Sequence, residues 1–265
     1  MADGSAVTIA VDTNGADLGP AEVAAGAATA AAQGVRVLLF GPAEAIGDVA
    51  DGVEVVDAPV SIAKAPDPVI AVRSTPDASI VQAASAVADG RAQALVAGGS
   101  TGAALAAGLF NIKRASGIFR PALAIPIPVP GKPVTLLDVG ANAESRPEHL
   151  VQFAFMGAAL AQVVLGIDQP RVGLLSNGEE AMKGTPLVLE THEKLTGSPL
   201  RFVGNVEGLD LTSGAADVIV TDGFTGNVAL KVAEGVSQTM LEAVRDAAMS
   251  SARAKLGGAL LKPSL

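Results

Sequence analysis

The 265-residue chain contains no cysteine, no tryptophan and no tyrosine, and only seven phenylalanines. Without cysteine there can be no disulfide, no thiolate nucleophile and no cysteine-ligated zinc. That composition fits a cytoplasmic protein. Histidine is almost as scarce: His149 and His192 are the only two. Each lies at or in a predicted helix among polar neighbours, so both are expected at the surface, and no metal-ligand cluster is visible. The shortage of aromatics argues against base stacking as a binding mode. A formal charge of −9 has the wrong sign for a nucleic-acid partner. Charged residues make up 17% and hydrophobic ones 49%, which excludes general disorder and leaves Ala, Val and Leu to pack the core. The N-terminus, MADGSAVTIAVD, has neither the basic region nor the long apolar run of a signal peptide. The most apolar long stretch, Phe153–Gly166, is too short for a bilayer and reads as a buried helix.

What the sequence does contain is a repeated strand–turn–helix grammar. Val7–Val11 is a short apolar run ending in Asp12, followed by turn formers and then by Pro20, which opens an Ala-rich helix to about Gln33. Val35–Phe40, Val53–Val56 and Ala94–Ala97 read as further strands, and Asp77–Asp89 as a helix. Ala65–Pro76 reads as a loop or broken helix, and Leu105, Leu109 and Ile112 mark a helix after GGSTGA. Ala122–Val129, the turn Gly131-Lys132-Pro133 and Val134–Asp138 suggest a hairpin, hence a mixed sheet. Glu148–Gly166 is a helix apolar on nearly every side. Val172–Leu175, Leu200–Val203 and Val218–Val220 are strands, with a helix over Pro186–Leu195. Val228, Val232, Val236, Met240 and Val244 recur every four residues along a long amphipathic helix. Strands alternating with helices imply a mainly parallel sheet covered on both faces. The length suits one α/β domain, or two lobes, with a cleft.

Three Gly-rich turns at strand ends are the candidate sites. GGSTG, Gly98–Gly102, has two readings beyond a plain tight turn. It matches the G-x-S-x-G nucleophile elbow, and Ser100, Asp138 and His149 or His192 follow the chain order of a serine hydrolase. It also presents backbone N–H groups and two hydroxyls at a helix N-terminus, a phosphate cradle. The second turn, within RVGLLSNGEEAMKGT (Arg171–Thr185), carries Lys183. Its order, Lys-Gly-Thr, is not that of a P-loop, and its two glutamates would repel phosphates. No G-x-G-x-x-G follows a predicted strand either, so ATP and NAD lack support. Lys183 is read either as a binder of one phosphate or a developing oxyanion, or as a solvated lysine paired with Glu179 or Glu180. The third turn is DGFTGN, Asp222–Asn227. Asp12, Asp138 and Asp222 each end a predicted strand, where acids either line clefts or cap turns. Lys113, Arg114 and Arg120 form the densest basic cluster, and ARAKLGGALLKPSL at the C-terminus is basic and apolar.

Taken together these segments resemble one family, the bacterial phosphate acyltransferases of phospholipid synthesis (the PlsX family). IAVDTNGADLGP is similar to its VDAMGGD-x-GP, ALVAGGSTGA to SAGNTGA, and GIFRPALA to GI-x-RPALA. LLDVGANAESRPEHLVQFAFMG is similar to DVGAN…PEHL-x-QFA-x-MG, and LLSNGEEAMKGT to LLN-x-GEE-x-KG. FVGNVEGLDL…ADVIVTDGFTGNVALK is similar to GN-x-EG…DV-x-V-x-DGF-x-GN-x-LK. The resemblance implies a Rossmann-like three-layer α/β/α fold, isopropylmalate dehydrogenase-like, as one domain over 1–265 with a cleft and a helical arm over 225–262. It implies acyl transfer from acyl-acyl carrier protein to inorganic phosphate, with no cofactor and no metal. It also implies a homodimer in the cytoplasm, resting on the inner face of the membrane.

On the matching positions, Lys183 and Asn227 are the catalytic pair expected from the family, as charge stabiliser and hydrogen-bond donor. Asp12, Gly99, Ser100, Thr101, Gly102, Asn142 and Asp222 would surround the substrate, with Lys183 across a cleft from GGSTG and DGFTGN. Lys113, Arg114 and Arg120 would receive the acidic carrier protein. Departures from the pattern are Thr13, Asn14 and Ala16 for Ala-Met-Gly, Ser100 for Asn, and Ser176-Asn177 before Gly178. Family members continue past the equivalent of Leu265 with a further segment. A non-catalytic paralogue that binds carrier protein or membrane is the alternative reading.

Overall fold

Alternation of apolar residues decides how the strands are covered. The computed structural model describes residues 6–129, 133–251, 253–255 and 257. The chain divides into two compact units, Met1–Gly117 and Ile118–Leu265. In the first, β1 (Thr8–Asp12), β2 (Arg36–Gly41), β3 (Val53–Asp57) and β4 (Ala94–Ala97) form a parallel sheet in the order β3-β2-β1-β4. Val11, Val37 and Leu39 point to one face, where they meet Ala24 and Ala27 of α1 (Pro20–Ala31) and Ile46 of α2 (Ala43–Ile46). Ala10, Leu38 and Phe40, one residue out of phase, meet Ala83 and Ala86 of α4 (Ser79–Ala88) on the other face. Residues i and i+1 of a strand face opposite ways, so a sheet covered on both sides needs apolar residues at every position.

Ala65–Pro76 resolves into a short helix, α3 (Pro68–Ser74). Asp67 caps it by accepting the Ile70 N–H at 2.9 Å, and Pro68 takes the first turn. The chain leaves the helix before Pro76, which disfavours helical geometry in the residue ahead of it. The helix expected after GGSTGA begins as α5 (Thr101–Ala107) and ends in a π-helical turn, Gly108–Ile112.

The second unit carries a five-stranded sheet. Its strands are β5 (Ala124–Ile127), β6 (Val134–Leu137), β7 (Arg171–Leu175), β8 (Arg201–Val206) and β9 (Val218–Val220), in the order β5-β6-β9-β7-β8. β5 and β6 pair antiparallel and the rest are parallel, so the mixed sheet expected from the hairpin is present. Gly131 and Lys132 of the hairpin turn lie outside the described residues, as do residues 1–5 and 258–265 and positions 252 and 256 of the basic C-terminal stretch. Leu137, Val172, Leu174, Val218 and Val220 pack under α6 (Pro147–Leu165) and α7 (Pro186–Thr196). Leu136, Leu175 and Ile219 face the other side, with Ala229 and Leu230 of α8 (Gly223–Met249) against them.

Two helices differ from expectation. α6 is 19 residues long, and by length and composition it could cross a membrane. Its span matches the helix expected over Glu148–Gly166, and the apolar stretch from Phe153 is only part of it. One face, with Leu150, Phe153 and Ala161, is buried in the core, while Val163 and Val164 are exposed. α8 is a long helix as expected, but only Gly223 and Gly226 in it are buried. Val228, Val232, Val236, Met240 and Val244 are all exposed, so none of the described residues of the unit covers the stripe.

One ion pair locks the start of β7 to the approach to β9. Arg171 donates to both Asp217 carboxylate oxygens, Nη2 at 2.9 Å and Nε at 3.1 Å, and to the Ala215 and Gly214 carbonyls at 2.9 Å. These bonds hold the Asp217 carboxyl below its ordinary range, against the opposing effect of burial. Because the folded pKa is depressed, the stabilisation is complete above the unfolded value of about 3.9. It is lost as pH falls through the lower folded value. Asp217→Asn is expected to lose about 2 kcal/mol in urea unfolding at neutral pH. The gap from wild type should narrow once the pH drops below about 4.

Candidate functional site

In each unit the candidate turns lie at the carboxyl ends of neighbouring parallel strands, the position at which open α/β sheets bind ligands. In the second unit β9 lies between β6 and β7, with Val220 in register with both Leu137 and Leu174. Asp138, Asp222 and Ser176 therefore leave adjacent strand ends.

Asp138 is fully buried. Its Oδ1 accepts the N–H groups of Leu123 (3.2 Å), Gly140 (3.2 Å) and Ala141 (2.8 Å). Its Oδ2 accepts the backbone N–H of Asn142 at 3.0 Å and the Asn142 side-chain amide at 2.8 Å. That amide also donates to the Pro121 carbonyl at 2.7 Å. Asn142 thus spends its donors on the loop that it shapes. α8 is seated on this loop by two glycines. A Cβ on Gly226 would overlap the Asp138 carbonyl oxygen, and one on Gly223 would overlap the Asn142 carbonyl. Asp222 caps α8: Oδ1 accepts the Thr225 N–H at 2.9 Å and Oδ2 the Thr225 hydroxyl at 2.7 Å. One turn on, Asn227 is exposed and lies against Gly140, 3.6 Å from where a Cβ would stand. Asn142, Asp222 and Asn227 are thereby gathered around one helix start.

Beside it is a cavity of about 450 Å³. Leu175 and Val188 give it apolar walls, and Ser176, Asn177, Thr185, Asp222 and Thr225 line it with polar groups. Thr185 and Asp222 are the N-caps of α7 and α8, so two helix N-termini, each carrying positive dipole potential, face the same space. The Ser176 hydroxyl is buried with no hydrogen-bond partner among the described residues.

Lys183 is exposed, and its stem lies against Gly178, where a Cβ would come within 2.8 Å of the lysine Cγ. None of the ion pairs among the described residues includes it. The pairing with Glu179 or Glu180 allowed by sequence is not made. The histidines are not the free surface residues expected. His149 is half-buried, its Nδ1 accepting the Arg146 N–H at 3.2 Å. Burial, and then the nearby Arg120 and Arg146 charges, push its pKa down. His192 is half-buried with Nδ1 2.9 Å from Asn205 Oδ1.

In the first unit Asp12 is buried and accepts the Ser79 hydroxyl at 2.6 Å and the Asn14 N–H at 3.2 Å. Burial raises its pKa, and these two bonds oppose the shift. The Asn14 amide donates to Ser79 Oγ at 2.9 Å and to the Ala58 carbonyl at 3.3 Å. Gly99 passes so close to this loop that a Cβ would stand 2.5 Å from the Asn14 carbonyl oxygen. Ser100 caps α5 by accepting the Ala103 N–H at 3.3 Å, with Thr101 and Gly102 in the first turn. The first unit contains no histidine; the only two in the chain belong to the second. Lys113 and Arg114 are exposed in the first unit and Arg120 in the second. Among the described residues no three His, Cys, Asp or Glu side chains form a metal cluster.

Sequence reasoning missed Ser79, which reaches Asp12 across 67 positions. It also gave no role to Thr185, Thr225 and Asn205. All three stood inside quoted motifs, and the first two could have been taken as caps; nothing in the linear sequence announces Ser79.

Fold and strand-end cavity together define a Rossmann-like α/β protein. Solved structures of like fold include the EutD phosphotransacetylase from Staphylococcus aureus, with TM-score 0.62 and 18% identity, covering 89% of this chain and 84% of that one. A branched-chain phosphotransacylase from Enterococcus faecalis V583 gives TM-score 0.55 and 20% identity over 85% and 83%. At these identities the likeness is one of fold. Sequence relatives are nearer. Phosphate acyltransferases from Desulforudis audaxviator and Synechocystis sp. are 46% and 44% identical, covering 89% and 97% of this chain and 72% and 77% of the relatives. Residues 7–265 match the family described as fatty acid synthesis protein. The chain belongs to that family and is a transferase enzyme; the name its relatives share describes acyl transfer to phosphate.

Gly226→Ala is expected to push α8 off the Asp138 loop and to cut activity by at least about tenfold, since a displacement near 1 Å is enough for that. A crystal structure of the variant with α8 unmoved would contradict the seat described here.

Proposed function

We propose that the chain transfers a fatty acyl group from acyl-carrier protein to inorganic phosphate, giving the acyl-phosphate used in phospholipid synthesis. The observation that carries this reading is the cavity in the second unit. It lies between two helix N-termini, and the same turn that borders it carries Lys183, which has no ion-pair partner among the described residues. Such a setting suits a small anion and a developing negative charge.

In this reading a phosphate oxygen attacks the thioester carbonyl. The carbonyl π electrons move onto oxygen, the oxyanion collapses, and the C–S bond breaks to release the carrier thiolate. Phosphate is itself the nucleophile, so the absence of cysteine is no obstacle. Lys183 offsets the oxyanion or phosphate charge, and Asn227 supplies an amide donor from the first turn of α8. Asp138 and Asn142 hold the loop that seats α8. A serine hydrolase at Ser100 is disfavoured: its hydroxyl caps α5, Asp138 is saturated by loop donors, and the histidines are engaged elsewhere.

Arg120, close enough to His149 to lower its pKa, adds to Arg146 in a basic surface beside α6 that suits an acidic carrier protein. Lys113 and Arg114 extend that role in the first unit. The uncovered stripe of α8 suits the inner face of the membrane or a homodimer partner. Val232→Glu with Met240→Glu should abolish flotation with vesicles of phosphatidylglycerol and phosphatidylethanolamine; flotation unchanged by both would remove the membrane from the reading.

Lys183→Ala is expected to lower kcat on the order of 10²–10³-fold, measured as acyl-phosphate formed from acyl-carrier protein and phosphate. The same assay with acyl-coenzyme A tests the donor. Full activity in the variant would remove Lys183 from the mechanism, and binding of carrier protein without turnover in wild type would select the non-catalytic alternative.

A further inference from the structure

We infer that Asn205 is a positioning residue for Lys183, acting through the backbone of the turn that carries the lysine, and that His192 sets the orientation of the Asn205 amide. The inference rests on the role proposed for Lys183 and adds what holds that lysine in place.

Lys183 has a flexible stem and no ion-pair partner among the described residues. Its location is therefore fixed by its backbone and by the contact with Gly178. The turn is closed by the Lys183 N–H donating to the Glu180 carbonyl at 2.9 Å. Asn205, buried at 5% exposure on β8, donates from Nδ2 to that same Glu180 carbonyl at 2.9 Å and to the Lys183 carbonyl at 3.4 Å. One side-chain amide thus ties both ends of the turn to the edge strand of the sheet.

This arrangement is directional. Both Nδ2 contacts are carbonyl oxygens, which only accept, so the amide nitrogen must face them. Oδ1 must then face His192, and the imidazole must carry its proton on Nδ1 to donate across 2.9 Å. The neutral Nδ1–H tautomer and the imidazolium both satisfy this. The ring is itself held edge-on to Phe202, with centroids 5.1 Å apart. The path runs from α7 through His192 and Asn205 to the two carbonyls that flank Lys183.

Asn205→Asp keeps shape and volume but replaces the donor by a carboxylate facing two carbonyl oxygens. It should release the turn. The expected result is a fall in kcat of about 10–100-fold with little change in KM for phosphate, together with faster amide exchange across residues 178–184. Exchange in β7 and β9 should stay as in wild type, which reports an intact sheet. His192→Leu should show a weaker form of both effects. His192→Asn, which can place a donor near the Nδ1 position, should restore both toward wild type, a rescue that loss of packing alone would not give. If Asn205→Asp does not fold, the two His192 variants carry the same test. Unchanged exchange in 178–184, or accelerated exchange with kcat unchanged, would overturn the inference. Full activity in Lys183→Ala would instead sink the functional reading while leaving the exchange result to stand, so the two failures are told apart.

Discussion

The second unit depends on one buried carboxylate. Asp138 sits fully buried at the end of β6, where an ion without partners would be expensive. Five N–H groups from Leu123, Gly140, Ala141 and Asn142 surround it. The same bonds fold the loop after β6 into a fixed shape. α8 can approach that loop only because Gly223 and Gly226 lack side chains. Where α8 starts then decides where Asp222 and Asn227 stand. A saturated anion, a shaped loop and a glycine-seated helix are successive consequences of a single constraint.

The first unit repeats this logic with weaker means. Asp12 ends β1 as Asp138 ends β6, and it is buried likewise. It has two hydrogen-bond donors, Ser79 and Asn14, and burial raises its pKa. Asn14, one of the positions where the chain departs from the family pattern, turns its amide back to Ser79 and Ala58. The departure is accommodated by hydrogen bonding within the loop. In Ser176-Asn177 a departure has the opposite character: the Ser176 hydroxyl is buried and finds no partner among the described residues.

Much of the fold was legible because periodicity is a local signal. Strand β9 and the hairpin of β5 and β6 follow from apolar runs and turn residues alone, and α1 and α7 from prolines at their first turns. α3 is not legible in the sequence because its prolines read as breaks, although Pro68 occupies the position that tolerates proline. The histidines were misplaced for a different reason. Polar neighbours in sequence say nothing about what packs across from a helix, and His192 meets Asn205 from a strand that follows it. The candidate site was legible as three turns, each recognisable from its glycines and acids.

The sequence by itself determined the class of fold, the order of strands and helices, and which polar turns follow which strands, because these depend on residue pattern over a few positions. It also determined the family, through motifs long enough to be specific. Only the tertiary structure decided that Lys183 has no acidic partner among the described residues, that Asn142 spends its amide on Asp138, and that Ser79 and Asn205 belong to the two loops. Those facts are set by burial and by hydrogen bonds between residues far apart in the chain, and a donor without its acceptor has no meaning in the linear sequence.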